Sequence, residues 1–232
     1  MRAVILSSGG VDSTTCVGIA VDKYGAQNVT TVSAWYGQKH KKELVCAQKI
    51  AQYYGVRHRV IDLEASRIFD GSNCTLLEGN GEIRHGSYAR QKDEKHGGMV
   101  DTYVPFRNGL LLSSVAAAAL SEYPGQEVEL YLGAHADDAA GDAYPDCTKR
   151  FTDAMYEAIE AGTGGLVHVR APFVELTKAG VVEWGLRLGV PYELTWSCYE
   201  GGDVQCGECG TCLDRKAAFA ANGVEDPVPY RV

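Results

Sequence analysis

The run Ala3-Val4-Ile5-Leu6-Ser7-Ser8-Gly9-Gly10-Val11-Asp12-Ser13-Thr14-Thr15 decides the fold of this chain. Four apolar residues make a buried-strand pattern, two glycines follow, and a helix-like stretch runs from Thr14 to Tyr24. The order is strand, glycine turn, helix start. Glycine lets the backbone turn tightly and approach a ligand closely. The unpaired N–H groups that open a helix favour negative charge, and successive amides in such a turn form an anion-binding nest. The expected guest is a phosphate or pyrophosphate, held by Ser7, Ser8, Gly9, Gly10, Val11, Asp12, Ser13, Thr14 and Thr15. Neither G-x-x-x-x-G-K-[ST] nor G-x-G-x-x-G occurs, so the loop is of another kind.

Outward from that loop, short β-rich runs alternate with helical patterns. Strands are expected at residues 3–6, 29–34, 57–61, 127–132 and 167–169, and helices at 14–24, 41–54, 109–121, 148–161 and 178–188. This βαβα rhythm predicts an α/β fold with a doubly wound, mostly parallel sheet. Ligands in such sheets bind beyond the carboxyl ends of the strands. The glycine turn, the Trp35–His40 segment and the 133–147 loop each follow a strand and should converge there. Two stretches break the rhythm. Residues 70–103 are polar and Gly-rich, which reads as a lid over the site. From Thr195 on, the chain holds four of its eight cysteines. The organisation expected is therefore an α/β domain over 1–194 and a metal-binding region over 195–232.

Thirty acids against 22 bases give a net charge of −8. The basic run Lys39–Lys42 and the mixed run Arg90–Lys95 supply only local positive charge, which argues against a large nucleic-acid interface. No stretch approaches the roughly 20 apolar residues that span a bilayer. The first residues enter a strand directly, so no signal peptide is expected and the protein should be cytoplasmic. In that compartment eight cysteines point to metal or core packing, not disulfides. Cys198, Cys206, Cys209 and Cys212 lie within fifteen residues and suit a tetrahedral, closed, structural Zn2+ site. Iron–sulfur ligation also uses four cysteines, at other common spacings. Cys16 and Cys46 read as small buried hydrophobes.

The S-G-G-x-D-S loop resembles that of the PP-loop ATP pyrophosphatases, which cleave ATP between the α and β phosphates and adenylate an oxygen of the substrate. With the cysteine cluster, Tyr36-Gly37-Gln38-Lys39-His40, Val104-Pro105-Phe106-Arg107-Asn108, Tyr144-Pro145-Asp146-Cys147 and Ser197-Cys198-Tyr199, the whole chain is similar to the 7-cyano-7-deazaguanine synthase (QueC/ExsB) family. The resemblance implies an ATP-dependent ligase. It would convert 7-carboxy-7-deazaguanine and ammonia to the nitrile through adenylated intermediates, in queuosine biosynthesis, with release of AMP and pyrophosphate. ATP would be co-substrate and Mg2+ would bridge its phosphates. Asp12, Ser13, Arg107 and Lys178 are the catalytic candidates, and Asp12 serves either as Mg2+ contact or as helix cap. Tyr36, Gln38, Arg107, Asn108, Asp138, Tyr144 and Asp146 are the substrate-binding candidates. Asp138 and Asp146 could each accept two N–H groups of a guanine-like edge. His135 and His40 are candidate bases for ammonia, and Cys147 has no identifiable activating partner. The chain is too short for a glutaminase domain, so ammonia is free or comes from a partner. A homodimer is expected. The longer 133–147 loop, with Asp137, Asp138 and Asp142, and the long 83–98 stretch depart from the family pattern. They keep open a different substrate, as in tRNA thiolation or a DNA-modification paralogue.

Overall fold

The computed structural model describes residues 1–94, 99–140 and 143–232. Lys95 and Asp142, named above, lie outside the described residues.

β1 (Arg2–Leu6), β2 (Val29–Trp35), β3 (Arg57–Asp62), β4 (Val128–Tyr131) and β5 (Val167–Arg170) form one parallel sheet in the order β3-β2-β1-β4-β5. Along β1 the side chains alternate between faces, as a pleated strand requires. Val4 and Leu6 pack with α4 (Arg107–Glu122) and α6 (Lys149–Gly162), whereas Ala3 and Ile5 pack with α1 (Val11–Tyr24) and α7 (Lys178–Arg187). α2 (Lys42–Tyr54) and α8 (Gly210–Ala221) join the second face through Ala51, Ala218 and Phe219. Both faces of the sheet are thus covered at its centre, where β1 and most of β2 are buried, whereas the edge strand β3 is largely polar and exposed. The strand order reverses direction between β1 and β4, and a crevice opens at that switch point.

The expected strands and helices all form, with ends shifted by a few residues. Two short helices were not expected from the pattern: α3 (Tyr88–Glu94), inside the polar 70–103 stretch, and α5 (Ala136–Ala139). α8 was also missed, because its sequence starts within the cysteine motif. The described part of the 70–103 stretch is not structureless. Cys74, Leu76, Leu77 and Val104 are buried with Tyr36 in a small core of their own.

Candidate active site

The phosphate-type loop sits where the sequence pattern puts it, between β1 and α1. Gly9 has φ +76°, and a Cβ there would stand 2.4 Å from the Glu43 carbonyl oxygen and 2.7 Å from the Ala47 nitrogen. Only glycine lets α2 approach the loop so closely. Gly133, after β4, packs as tightly from the other side, since its Cβ would be 3.1 Å from the Asp12 backbone and side chain. Ser13 Oγ accepts from the Ser8 amide at 3.2 Å and lies 3.2 Å from Ser8 Oγ, which fixes the turn. Gly10 is the N-cap of α1 and no side chain caps it, so the first amides of the helix stay available.

Around this loop lies a cleft of about 1220 Å³, open mouth included, at the carboxyl ends of β1, β2 and β4. Ser7, Ser8, Gly10, Val11, Asp12 and Ser13 line it from the loop. Tyr36, Arg107, Asn108, Asp138 and Lys178 line it from four other segments.

The cleft's charge centre joins residues far apart in sequence. Lys178, at the start of α7, donates from Nζ to Asp12 Oδ2 at 2.5 Å across 166 positions. His135 Nε2 lies 3.5 Å from that ammonium, 3.3 Å from Asp138 Oδ2 and 3.9 Å from Asp12 Oδ1. Asp137 steadies the arrangement by accepting the Lys178 backbone amide at 2.7 Å. Burial alone would raise the Asp12 pKa, but the Lys178 and His135 charges outweigh it and hold Asp12 below the usual carboxylate range. Asp138 has the opposite balance: burial dominates and lifts its carboxyl above the usual range. Among the described residues, Asp12 Oδ1 and His135 Nδ1 are buried without a hydrogen-bond partner. Buried polar atoms are rarely left so, and a carboxylate oxygen beside a phosphate loop fits a divalent cation.

Arg107 reaches the cleft from the start of α4. It donates to the Tyr36 hydroxyl at 3.1 Å, and its guanidinium lies 5.9 Å from that ring's centre. It stays a cation despite burial, because Tyr36 and Asp146 raise its pKa.

Several expected contact residues are engaged elsewhere. Thr14 Oγ1 donates to the Gly10 carbonyl at 2.7 Å, and Thr15 Oγ1 to the Val11 carbonyl at 2.9 Å. Both threonines are fully buried in the helix–core contact, away from the cleft. Gln38 is spent on its own turn, accepting from the Tyr36 amide at 2.8 Å and donating to the Ala34 carbonyl at 3.0 Å. Asp146 Oδ2 accepts the Asn108 amide at 2.9 Å, so this carboxylate serves the N-terminus of α4. Asn108 faces the cleft, but its amide nitrogen is tied to the Asp146 carbonyl and Cys147 Sγ at 3.0 and 3.3 Å. Tyr144 is buried, with its hydroxyl 2.5 Å from Thr102 Oγ1. Burial, with Asp138 and Asp146 nearby, pushes the Cys147 thiol well above its usual value, which opposes thiolate formation. His40 does not line the cleft; it packs edge-on to Trp196, with ring centres 6.5 Å apart.

Other cleft residues escaped the sequence reading. Glu43 enters from α2 and Asp214 from α8. Burial raises Glu43, and raises Asp214 to about 6. Glu43 follows the basic run at helical spacing, a signal that was present, whereas nothing local marks Asp214.

The four cysteines form a metal-ready cluster. Cys198, Cys206, Cys209 and Cys212 are buried and their sulfurs all lie within 4.8 Å of one another. The amides of Glu208 and Cys209 donate to Cys206 Sγ at 3.4 and 3.3 Å, and the Cys206 amide to Cys198 Sγ at 3.3 Å. Amides aimed at sulfur stabilise thiolate charge, as second-shell donors do around metals. The cluster is tied to the loop: the Trp196 amide donates to the Gly9 carbonyl at 2.9 Å, and Ser197 and Tyr199 line the cleft. Arg215, fully buried, anchors this segment through a two-point pair with Asp226 at 2.8 and 2.9 Å and a 2.6 Å bond to Thr195 Oγ1.

Comparison with known proteins bears on this geometry. The family model described as queuosine biosynthesis protein QueC matches residues 2–223. The chain is 44% identical over 229 residues to a 7-cyano-7-deazaguanine synthase of Archaeoglobus fulgidus, covering 98% of this chain and 90% of that protein. It is 40% identical over 232 residues to the enzyme so named in Caldicellulosiruptor saccharolyticus, covering 100% and 96%. With that of Thermoplasma acidophilum it shares 38% over 233 residues, covering 99% and 92%. Among solved structures, an NMN synthetase from Francisella tularensis superposes with a TM-score of 0.50 at 16% identity, over 97% of this chain and 78% of that one. That last likeness is one of fold.

Proposed function

This chain belongs to the QueC family of queuosine biosynthesis proteins, and from that premise we propose that it is an ATP-dependent 7-cyano-7-deazaguanine synthase. The observation that carries the reading is the Asp12–Lys178 pair, set at the phosphate loop in a cleft that Tyr36, Arg107 and Asp138 also line. A carboxylate does not react with ammonia, because oxide is a poor leaving group. Transfer of AMP from ATP to the carboxylate oxygen of 7-carboxy-7-deazaguanine releases pyrophosphate and gives an acyl-adenylate. Ammonia displaces AMP and forms the amide, losing one proton. A second adenylation, on the amide oxygen, releases a second pyrophosphate. Loss of AMP and a proton from that adduct leaves the nitrile.

The protein's share in each step is positioning and charge. The amide of Val11 and the hydroxyls of Ser7, Ser8 and Ser13 would hold the departing pyrophosphate. Lys178 and Arg107 would offset the charge that develops on the phosphates. Mg2+ would be held at Asp12 Oδ1 and would neutralise phosphate oxygens when bound. Tyr36 and Asp138 would contact the deazapurine. Burial raises the Asp138 carboxyl above its usual range, and its oxygens would accept hydrogen bonds from the amide edge. Cys198, Cys206, Cys209 and Cys212 would hold Zn2+ with no position left for water, in a structural role.

The net charge of −8 supports small-molecule partners over nucleic acid. Exposed Val204 and Val224 near the cysteine region support a homodimer. Eight cysteines without a disulfide support a reducing, cytoplasmic setting. Among the described residues no helix is long and apolar enough to cross a membrane. To test the reading, the protein is incubated with ATP, Mg2+, ammonium and 7-carboxy-7-deazaguanine, and nucleotides and base are followed by mass spectrometry. The expected outcome is AMP with the nitrile in a 2:1 ratio set by the chemistry above. Untouched ATP would overturn it.

A further inference from the structure

The four-cysteine cluster has a neighbour that its structural role does not explain. His85 pairs with Cys209 in an isolated antiparallel bridge, and the Gly86 amide donates to the Glu208 carbonyl at 2.9 Å. Gln91, buried, donates from its side chain to the Gly86 carbonyl at 2.9 Å and holds that turn. Tyr88, between them, packs on the first residue of α8. A Cβ at Gly210 would lie 2.8 Å from Tyr88 Cε1 and 3.0 Å from Cζ. The Tyr88 hydroxyl donates to that of Tyr199, the residue after Cys198, at 3.0 Å. Tyr144 stands edge-on to the Tyr88 ring, with centres 5.7 Å apart. Tyr88 and Tyr199 both line the cleft.

The backbone and hydroxyl contacts of this segment therefore end on residues next to Cys198, Cys206 and Cys209. A metal that fixes those cysteines also fixes where Tyr88 stands. A tyrosine wall presents a broad, rigid aromatic surface with little entropy to lose, which suits a flat heteroaromatic ring better than a triphosphate. We propose that Tyr88 is a specificity-determining residue for the heteroaromatic acid, and that the metal-bound cysteine cluster positions it. Gly210 is the joint between the two, because any side chain there would push the Tyr88 ring out of place.

This inference rests on the function proposed above, and its test separates the two. Hydrogen exchange over residues 83–91 is measured by mass spectrometry, without substrate, for the metal-loaded protein, the chelated protein and Gly210→Ala. Gly210→Ala keeps all four cysteines and should keep one metal and a cooperative melt. Exchange should speed up by about tenfold or more in both altered forms, as local opening loses its docking contacts. Unchanged exchange would overturn the positioning role whatever the substrate proves to be. Steady-state kinetics of Tyr88→Leu and Tyr88→Phe then test specificity. Tyr88→Leu should raise KM for 7-carboxy-7-deazaguanine by about tenfold or more, the scale of a lost packing contact, with KM for ATP unmoved. Tyr88→Phe should restore most of it. Equal losses for both substrates would mark Tyr88 as merely structural and overturn the assignment. A wild-type protein inert toward this acid would sink the proposed function, while the exchange data would still decide whether the cysteine cluster positions Tyr88.

Discussion

On the loop side of the cleft, the wall is a single stretch, Ser7 to Ser13, whose amides and hydroxyls are set by one strand–helix junction. On the opposite side of the charge centre the wall is stitched together from α3, α5, α7, α8 and the cysteine segment, and it works through side chains. The first wall depends on backbone geometry, so its tolerance for change is low and its chemistry is generic to phosphates. The second depends on tertiary docking, and it meets the first at two bonds, from Lys178 Nζ to Asp12 Oδ2 and from the Trp196 amide to the Gly9 carbonyl.

That contrast can be broken, and the largest effect should come from its meeting point. Lys178→Ala strands the Asp12 carboxylate without its ammonium. AMP formation should fall by about 10²–10³-fold, the scale of one lost electrostatic partner, and near-wild-type turnover would remove Lys178 from the chemistry. Cys206→Ser tests the docked wall as a folding unit. Because metal binding is coupled to folding, the melting temperature should drop by about 10 °C or more. A metal-free, active variant with an unchanged melt would refute the structural role.

Asp146→Ala sharpens the boundary between the walls. If its carboxylate serves α4, the variant should lose about 1–2 kcal/mol in denaturant titration, with KM for the acid nearly constant. A raised KM at unchanged stability would return Asp146 to the substrate. The smallest effect is expected far from the cleft, at Glu129 on β4. Burial would raise its pKa, yet hydrogen bonds from Tyr24, Tyr131, Arg170 and Lys23 bring it down to about 2. A depressed carboxylate stabilises the fold fully above its unfolded value of 4.5, and that contribution is lost as pH falls from there toward 2. Glu129→Gln should therefore melt lower than wild type at pH 7, with the gap narrowing below pH 4.5. A gap that does not change with pH would assign the loss to packing.

What the sequence revealed follows the same division. Ser7 to Ser13 and the cysteines were legible because their chemistry needs neighbours at short spacing. The sheet was legible because its central strand is a buried apolar run and short β-rich runs alternate with helical patterns along the chain. Gln38, Asn108, Asp146 and Tyr144 were assigned to substrate because a motif shows which residues matter and not which way they face. In the structure each bonds a neighbouring backbone or hydroxyl group, and of the four Asn108 also lines the cleft. Asp214 and Tyr88 lay beyond local reading, since only the docking of α8 and α3 brings them to the cleft, whereas Glu43 stood beside a motif at helical spacing. The Asp12–Lys178 pair shows the limit: both residues were candidates, and their contact across 166 positions had no signature.

The bond from the Trp196 amide to the Gly9 carbonyl sets a timetable for the newborn protein. Gly9 leaves the ribosome 187 residues ahead of its partner, a wait of about 10–40 s at bacterial-type elongation rates of about 5–20 residues per second. Through that interval the nucleotide loop exists without its clasp. Nascent chains arrested before residue 196 should fail to retain ATP, and retention by such a chain would show that the loop matures alone. Truncated translation products that end before Trp196 should likewise not consume ATP.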